Sequence, residues 1–421
     1  MGLRTLIDGH QRQGTAILKW SLLAIPTSFL IGSACALFLW LLDIATRTQW
    51  NHPWLLYLLP LLGVVVVKIY DTIGANSERG NNLLIDEIHE PGGGVPLRMA
   101  PLILGGTILT HLGGGSAGRE GTAVQMGGGI AGGVARLLRL NSSDTRILLM
   151  VGVAAGFGGV FGTPLAGAIF AAEVLHIGRL RYEALIPCLI GGLIGDWGCY
   201  YWGIGHTDYS VLLTSPVLRS NTLLIQVVIA GIVLGLAGQL FSRSSHAFGA
   251  FMRNTIESSA LRPVVGSIAL ILLVWLVGHR DYLGLGVESP RGEAGISIVN
   301  SFHAGGVGGF SWLWKLIFTV VTIGSGFKGG EVTPLFFIGA ALGNTLAILL
   351  GGPIDLFAAI GLVGLFAGAT NTPIACTLMG IELFGAAHAP WFALACCIAY
   401  LFSGEQGIYT SQRIATAKRL G

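Results

Sequence analysis

Long uncharged stretches recur along the chain, separated by short polar segments rich in glycine. Residues 20–42, 221–241, 334–354 and 356–381 each run without an acidic or basic side chain. About twenty such residues cross a bilayer, and a backbone without water to bind must satisfy itself as a helix. The apolar block 20–69 is long enough for two helices. The run 147–172 is broken at Gly162-Thr163-Pro164, and the run from Leu356 onward at Thr370-Asn371-Thr372-Pro373. The pattern predicts an all-α polytopic membrane protein with interrupted helices.

Composition strengthens this reading. Of 421 residues, 52% are hydrophobic and only 11% charged, against about 25% charged in an ordinary soluble domain. The formal charge of +3 gives no reason to expect a nucleic-acid partner. Arg4, Arg12 and Lys19 precede the first apolar run, and Arg413, Lys418 and Arg419 follow the last. The positive-inside rule then places both termini in the cytoplasm, for a multi-pass protein of the plasma (inner) membrane. The first run is too long for a signal-peptide core and is expected to be retained. Cys35, Cys188, Cys199, Cys376, Cys396 and Cys397 lack metal-ligand spacing and read as small buried hydrophobes. No metal or cofactor is called for.

Two glycine-rich loops carry an acid each. Gly113 to Gly127 contains Arg119-Glu120-Gly121-Thr122, and Gly324 to Pro334 contains Glu331-Val332-Thr333. Glu120 precedes Pro164 by 44 residues, Glu331 precedes Pro373 by 42, and each proline is followed nine residues later by Glu173 or Glu382. Matched, Gly/Pro-interrupted segments in two halves point to a transporter built from repeats. One domain over 1–421 is expected, with a first repeat at roughly 16–205 and a second at roughly 220–415.

Broken helices aim their N-terminal ends, which carry partial positive charge, at anions. Four stretches suit such ends, around Asn81, Glu120, Glu331 and Tyr409. An acid at membrane depth costs ~2.5–3.5 kcal/mol or more when ionised and is a functional candidate by default. Glu120 can occupy an anion site when ionised and leave it when protonated, which links anion movement to protons. Other readings compete. Glu120 can pair with Arg119, Glu331 with Lys328, Asn81 can be a plain helix cap, and Tyr409 an interfacial residue. Glu173 and Glu382 read as structural hydrogen-bonding partners. Gly114-Gly115-Ser116-Ala117-Gly118 also fits the G-x-S-x-G nucleophile elbow, with His111 near, which would suit an intramembrane serine hydrolase. That elbow needs a strand before it, and glycine abundance makes the match cheap.

These motifs resemble the CLC family of anion channels and anion/proton antiporters, along essentially the whole membrane domain. Gly118-Arg119-Glu120-Gly121 resembles the family's gating-glutamate motif. Gly329-Gly330-Glu331-Val332-Thr333-Pro334 resembles the second-repeat motif whose amides hold the anion, and Tyr409 the tyrosine closing the inner side. Chloride members usually have proline where Thr122 stands, Gly-Ser-Gly-Ile-Pro where Gly80-Asn81-Asn82-Leu83-Leu84 stands, and an internal glutamate at Val174. Together these departures resemble the fluoride/proton antiporter branch. The resemblance implies an inverted repeat of tilted and broken helices, fluoride and protons as substrates, a homodimer, and no enzyme activity. It implies Glu120 as gate, Glu331 as second coupling acid, and Asn81, Gly121, Val332, Thr333 and Tyr409 along the anion path. It also implies that the cytoplasmic regulatory domains of many relatives are absent. A chloride channel or chloride/proton exchanger on the same fold stays open.

Overall fold

The computed structural model describes residues 3–216 and 220–418, so Arg419 of the terminal basic group lies outside the described residues. Fifteen α-helices account for most of them. The first half holds α1 (Leu3–Asn51), α2 (Leu59–Ile69), α3 (Asn81–His89), α4 (Met99–Leu112), α5 (Glu120–Leu137), α6 (Ser142–Phe161), α7 (Pro164–Glu173) and α8 (Leu185–Tyr201). The second holds α9 (Asn221–Thr255), α10 (Leu261–Val277), α11 (Ser311–Gly324), α12 (Val332–Leu350), α13 (Ile354–Thr370), α14 (Pro373–Phe384) and α15 (Ala389–Phe402). A two-residue strand β1 (His176–Ile177) pairs in parallel with β2 (Arg413–Ile414).

Among the described residues, five helical stretches are long and apolar enough to cross a membrane, including Gln13–Asn51, Asn221–Thr255 and Val332–Leu350. The expected interruptions are present. Gly162 ends α6 in the left-handed region at φ 68° and Pro164 opens α7. Asn371 ends α13 in the same region at φ 61° and Pro373 opens α14. Proline at a first helical position lacks only a hydrogen that would have been unpaired there anyway. The outer surface carries exposed Leu22, Trp40, Leu272, Trp275 and Ile348, a composition suited to hydrocarbon. Five of the six cysteines are buried as expected, whereas Cys397 on α15 is exposed.

The repeat is visible in how the halves pack. A Cβ at Gly127 or Gly152 would run into the backbone of the other, which lets α5 lie against α6; Gly339 and Gly361 do the same for α12 and α13. Small residues at helix crossings are the usual device in membranes, where hydrophobicity alone does not drive helices together. The halves also finish one another's helices. Glu382, near the end of α14, accepts from the Leu165 and Ala166 N–H groups that open α7, at 2.9 and 2.8 Å. Glu173, ending α7, accepts from the Ile374 and Ala375 N–H groups that open α14, at 3.1 and 2.8 Å. Each helix has unpaired N–H groups in its first turn, and here the carboxylate comes from the opposite repeat. Glu173 and Glu382 are thus the hydrogen-bonding partners that the sequence suggested. Replacing Glu382 by Ala is expected to lower stability by about 1–3 kcal/mol, read as a melting temperature several degrees lower in detergent. Gln, which keeps an acceptor oxygen, should recover part of that loss; equal melting of Ala and wild type would remove the cap from the account.

Candidate functional site

The two acid-bearing loops meet in the middle of the molecule. Gly118 N–H donates to Gly330 O at 2.6 Å and Gly330 N–H to Gly118 O at 2.7 Å, a short antiparallel bridge between repeats. Side chains are excluded at this crossing. A Cβ on Gly330 would stand 2.7 Å from Gly121 N, and one on Gly118 3.0 Å from Thr333 N. The bridge brings the start of α5 against the start of α12.

Glu120 is the first residue of α5 and only 1% exposed. Its carboxylate accepts from Thr333 N–H at 3.0 Å and from the Thr333 hydroxyl at 2.6 Å. Arg119 N–H adds a third donor at 3.1 Å. Arg119 Nε lies 3.5 Å from the carboxylate but makes no hydrogen bond, so the arginine is a neighbour and not the partner that holds it. The acid instead sits on the N-terminus of α12. Pro334 brings no N–H, so Val332 and Thr333 present the amides there. A negative group at such a terminus gains roughly 0.3–1 kcal/mol, and up to about 2 where partly buried. The carboxylate oxygens occupy a place that a small anion could take.

The other expected residues gather around it unequally. Asn81 opens α3, and its amide nitrogen would stand 3.2 Å from a Cβ at Gly121, while its Oδ1 has no hydrogen-bond partner. Gly80 before it takes φ 57°, a conformation that favours glycine. Val332 is buried at the head of α12. Glu331 immediately precedes α12. Lys328 does not pair with it, since the Lys328 ammonium lies over the Tyr70 ring, 4.2 Å from its centre. Tyr409 is 6% exposed, and its ring lies 6.4 Å from that of Phe170 at an interplanar angle of 70°.

One expectation fails at Tyr409: no helix begins there among the described residues. Ile408 N–H donates to Ala369 O at 2.9 Å and Arg413 N–H to Leu175 O at 3.2 Å. Between these bonds Gln412 N–H donates to Tyr409 O at 3.4 Å, a turn that leads into the β1–β2 pairing. Gln412 fastens it further by donating to Val174 O and Thr370 O, both at 2.8 Å. Asn82 Oδ1 accepts from Ser411 N–H at 3.1 Å, so α3 and the tyrosine segment are tied together.

The nucleophile-elbow arrangement is not formed. Ser116 Oγ pairs with Thr319 Oγ1 at 3.0 Å, and the His111 ring nitrogens face the carbonyls of Thr107 and Ala117 at 2.8 and 3.0 Å. No base reaches the serine. Thr122 turns its hydroxyl to Thr107 of α4 at 2.7 Å, a tie that proline at this position could not make. Sequence reasoning passed over Lys315, fully buried in α11 and donating to Tyr282 O and Gly284 O at 3.1 and 2.8 Å. A single lysine inside the apolar run from Trp312 to Val321 was the available signal.

Residues 61–404 match the family described as voltage gated chloride channel. The chain belongs to this family, the CLC family. A "Chloride/fluoride channel protein" of Pseudomonas syringae pv. tomato is 49% identical over 402 residues, covering 96% of this chain and 88% of that protein. The crystal structure of a CLC-type fluoride/proton antiporter superposes with a TM-score of 0.89 at 35% identity, over 94% of this chain and 98% of that one. A slow cyanobacterial Cl−/H+ antiporter shares the fold at a TM-score of 0.76 and 19% identity, over 93% and 96% of the two chains. The CLC fold therefore frames the crossing of α5 and α12, and the Glu120 carboxylate lies at its centre.

Proposed function

We propose that this CLC protein exports fluoride across the plasma (inner) membrane in exchange for protons, with both termini cytoplasmic and two copies forming a homodimer. The observation that carries the reading is the Glu120 carboxylate seated on the Thr333 N–H and hydroxyl. Its oxygens stand in for the anion. Protonation of Glu120 removes the charge that the helix N-terminus attracts, so the side chain leaves and an anion takes its place. Deprotonation reverses the step, so the carboxylate and the anion compete for the same donors and the proton decides between them.

Fluoride is small and strongly hydrated, so a site must replace its water with good donors. The Thr333 hydroxyl and amide and the Asn81 amide supply them beside Gly121. Glu331 and Tyr409 are the second coupling acid and the inner closing residue in this reading, with Val332 contributing its amide. The 35%-identical fluoride/proton antiporter supports the choice of substrate and of coupling. A chloride-type channel or exchanger is the second reading, favoured by the "Chloride/fluoride channel protein" to which the chain is 49% similar by identity.

Proteoliposomes with fluoride and chloride electrodes and an internal pH dye test both. The expected result is fluoride efflux with opposing proton movement and little chloride flux. Asn81→Ser should raise chloride flux relative to fluoride, because it withdraws an amide donor and leaves a shorter hydroxyl. Comparable chloride flux in the wild type, or fluoride flux without protons, would overturn the fluoride/proton reading.

A further inference from the structure

Two histidines meet outside the apolar helices. His89 ends α3, His176 opens β1, and their rings stand 4.6 Å apart, edge to face at 82°. His89 is 5% exposed. Its Nε2 lies 3.1 Å from Leu175 O, so that nitrogen carries the hydrogen of the neutral ring and donates it. The same carbonyl accepts from Arg413 N–H at 3.2 Å. The Nδ1 of His176 is buried without a hydrogen-bond partner.

The contacts of the pair place it on one face of the molecule. Arg146, near the start of α6, donates to His89 O at 2.8 Å. Two residues before it, Asp144 accepts from Lys19 at 2.6 Å, and Lys19 stands ahead of the first apolar run. β2 follows the last apolar helix. With the termini cytoplasmic, as proposed above, this is the cytoplasmic face.

The charge around the rings is mostly positive. Arg146 comes from α6, Arg179 and Arg181 from the loop after β1, and Arg413 from β2. The nearby carboxylates are already engaged. Asp86 pairs with Arg79, Glu90 with Arg413 at 2.6 Å and Glu183 with Arg181 at 3.0 Å. Glu87 accepts from the Gly92 and Gly93 N–H groups, each at 3.0 Å. Burial, His89 and the arginines push the His176 pKa down to about 4. Burial and then Arg413 lower that of His89 as well, against the Leu175 bond and Asp86. Both rings are therefore neutral at pH 7.

What the pair holds is the segment that carries Tyr409. His176 and Ile177 pair with Arg413 and Ile414, and Ile177 O accepts from the Ala415 and Thr416 N–H groups at 3.1 and 3.2 Å. Near its start α3 is tied to the same segment by the Asn82–Ser411 bond; at its end His89 ties it to Leu175 O. A proton on His176 sets a charge against His89 and four arginines. Relief comes only by parting the rings, which breaks the Leu175 contact and slackens the β1–β2 pairing.

We propose that His89 and His176 form a cytoplasmic pH latch: neutral, they hold α3 and β1 to the Tyr409 segment, and protonation drives them apart and frees it. Acid in the cytoplasm then loosens the inner end of the anion path, separately from the proton that Glu120 exchanges. The released state binds the proton more tightly than the closed one. Closure therefore weakens as pH falls from the ordinary histidine value of 6.5 toward about 4, by about tenfold per pH unit. The use of the latch rests on the transport reading; its existence does not.

Hydrogen–deuterium exchange on the full chain in nanodiscs tests it, with protection at residues 408–416 corrected for the intrinsic rate at each pH. Between pH 7.5 and 5.5 the wild type is expected to lose about tenfold in protection there, and His176→Gln to keep it. His176→Asn gives the same reading should the first variant fail to fold. A wild-type profile that is flat, or a variant profile as steep as the wild type's, would overturn the latch. Fluoride efflux from proteoliposomes, with equal pH on both sides, is measured alongside at pH 7.5 and 5.5. The ratio of wild-type to His176→Gln efflux should rise several-fold at the lower pH; an unchanged ratio would overturn the use of the latch in transport. No efflux from either protein would count against the transport reading and leave the exchange result to decide the latch.

Discussion

Replacing Glu120 by Gln is expected to abolish the proton movement that accompanies anion flux, down to the level of protein-free liposomes. The amide is close to the carboxylate in size and keeps one acceptor for the Thr333 hydroxyl and N–H that now hold the acid at 2.6 and 3.0 Å. It cannot take up and release a proton near neutral pH. It also loses the negative charge that the α12 terminus attracts. Geometry is thus nearly preserved while the shared use of one site by proton and anion is removed. The internal pH dye gives the readout, with the same preparation checked for fluoride movement. Proton uptake at the wild-type rate in Glu120→Gln would sink the competition mechanism whichever anion is carried.

The second large effect is expected from a single methyl group that carries no charge and no hydrogen-bonding atom. Gly330→Ala places a Cβ 2.7 Å from Gly121 N and 3.2 Å from Glu120 N. Both neighbours are backbone, so neither can swing aside. The start of α5 must move away from the start of α12, and the Gly118–Gly330 bridge, with bonds of 2.6 and 2.7 Å, is stretched. Overpacking of this kind costs roughly 1–3 kcal/mol in stability. The functional cost is larger, because a shift of about 1 Å between reacting groups lowers rates on the order of 10²-fold. Initial anion flux should therefore fall on that order while the size-exclusion profile stays that of the wild type. Flux within a factor of two of wild type would show that the loops slide past one another freely.

Much of this arrangement was legible in the residues. Prolines 164 and 373, each after a polar break in an apolar run, marked the starts of α7 and α14. A local signal sufficed there, because proline and glycine act on the backbone within a residue or two. The acids of the two glycine-rich loops were legible as candidates for the same reason: charge is rare in apolar surroundings. What joined them was not. Thr333 and Glu120 are 213 residues apart, and a contact over that span leaves no periodicity to read. The non-helical course of the Tyr409 segment was missed on similar grounds. Glycine and small residues before it suit a helix start, but bonds to Ala369 and Leu175 decide its path. His89 and His176 gave no local sign either, since each is ordinary until the fold sets their rings 4.6 Å apart.

The reciprocal caps of Glu173 and Glu382 bear on how the protein is made. The first half leaves the ribosome with α7 lacking the acceptor for its Leu165 and Ala166 N–H groups, because that acceptor is a side chain of α14. Until the second half arrives, those groups must find water or lipid headgroups, and exposed amides are costly in hydrocarbon. Short α7, ten residues long, has this acceptor only once α14 is in place. Packing of α14 against α7 closes both caps together. The first turns of α7 and α14 are thus capped together or not at all, each by a side chain of the other half.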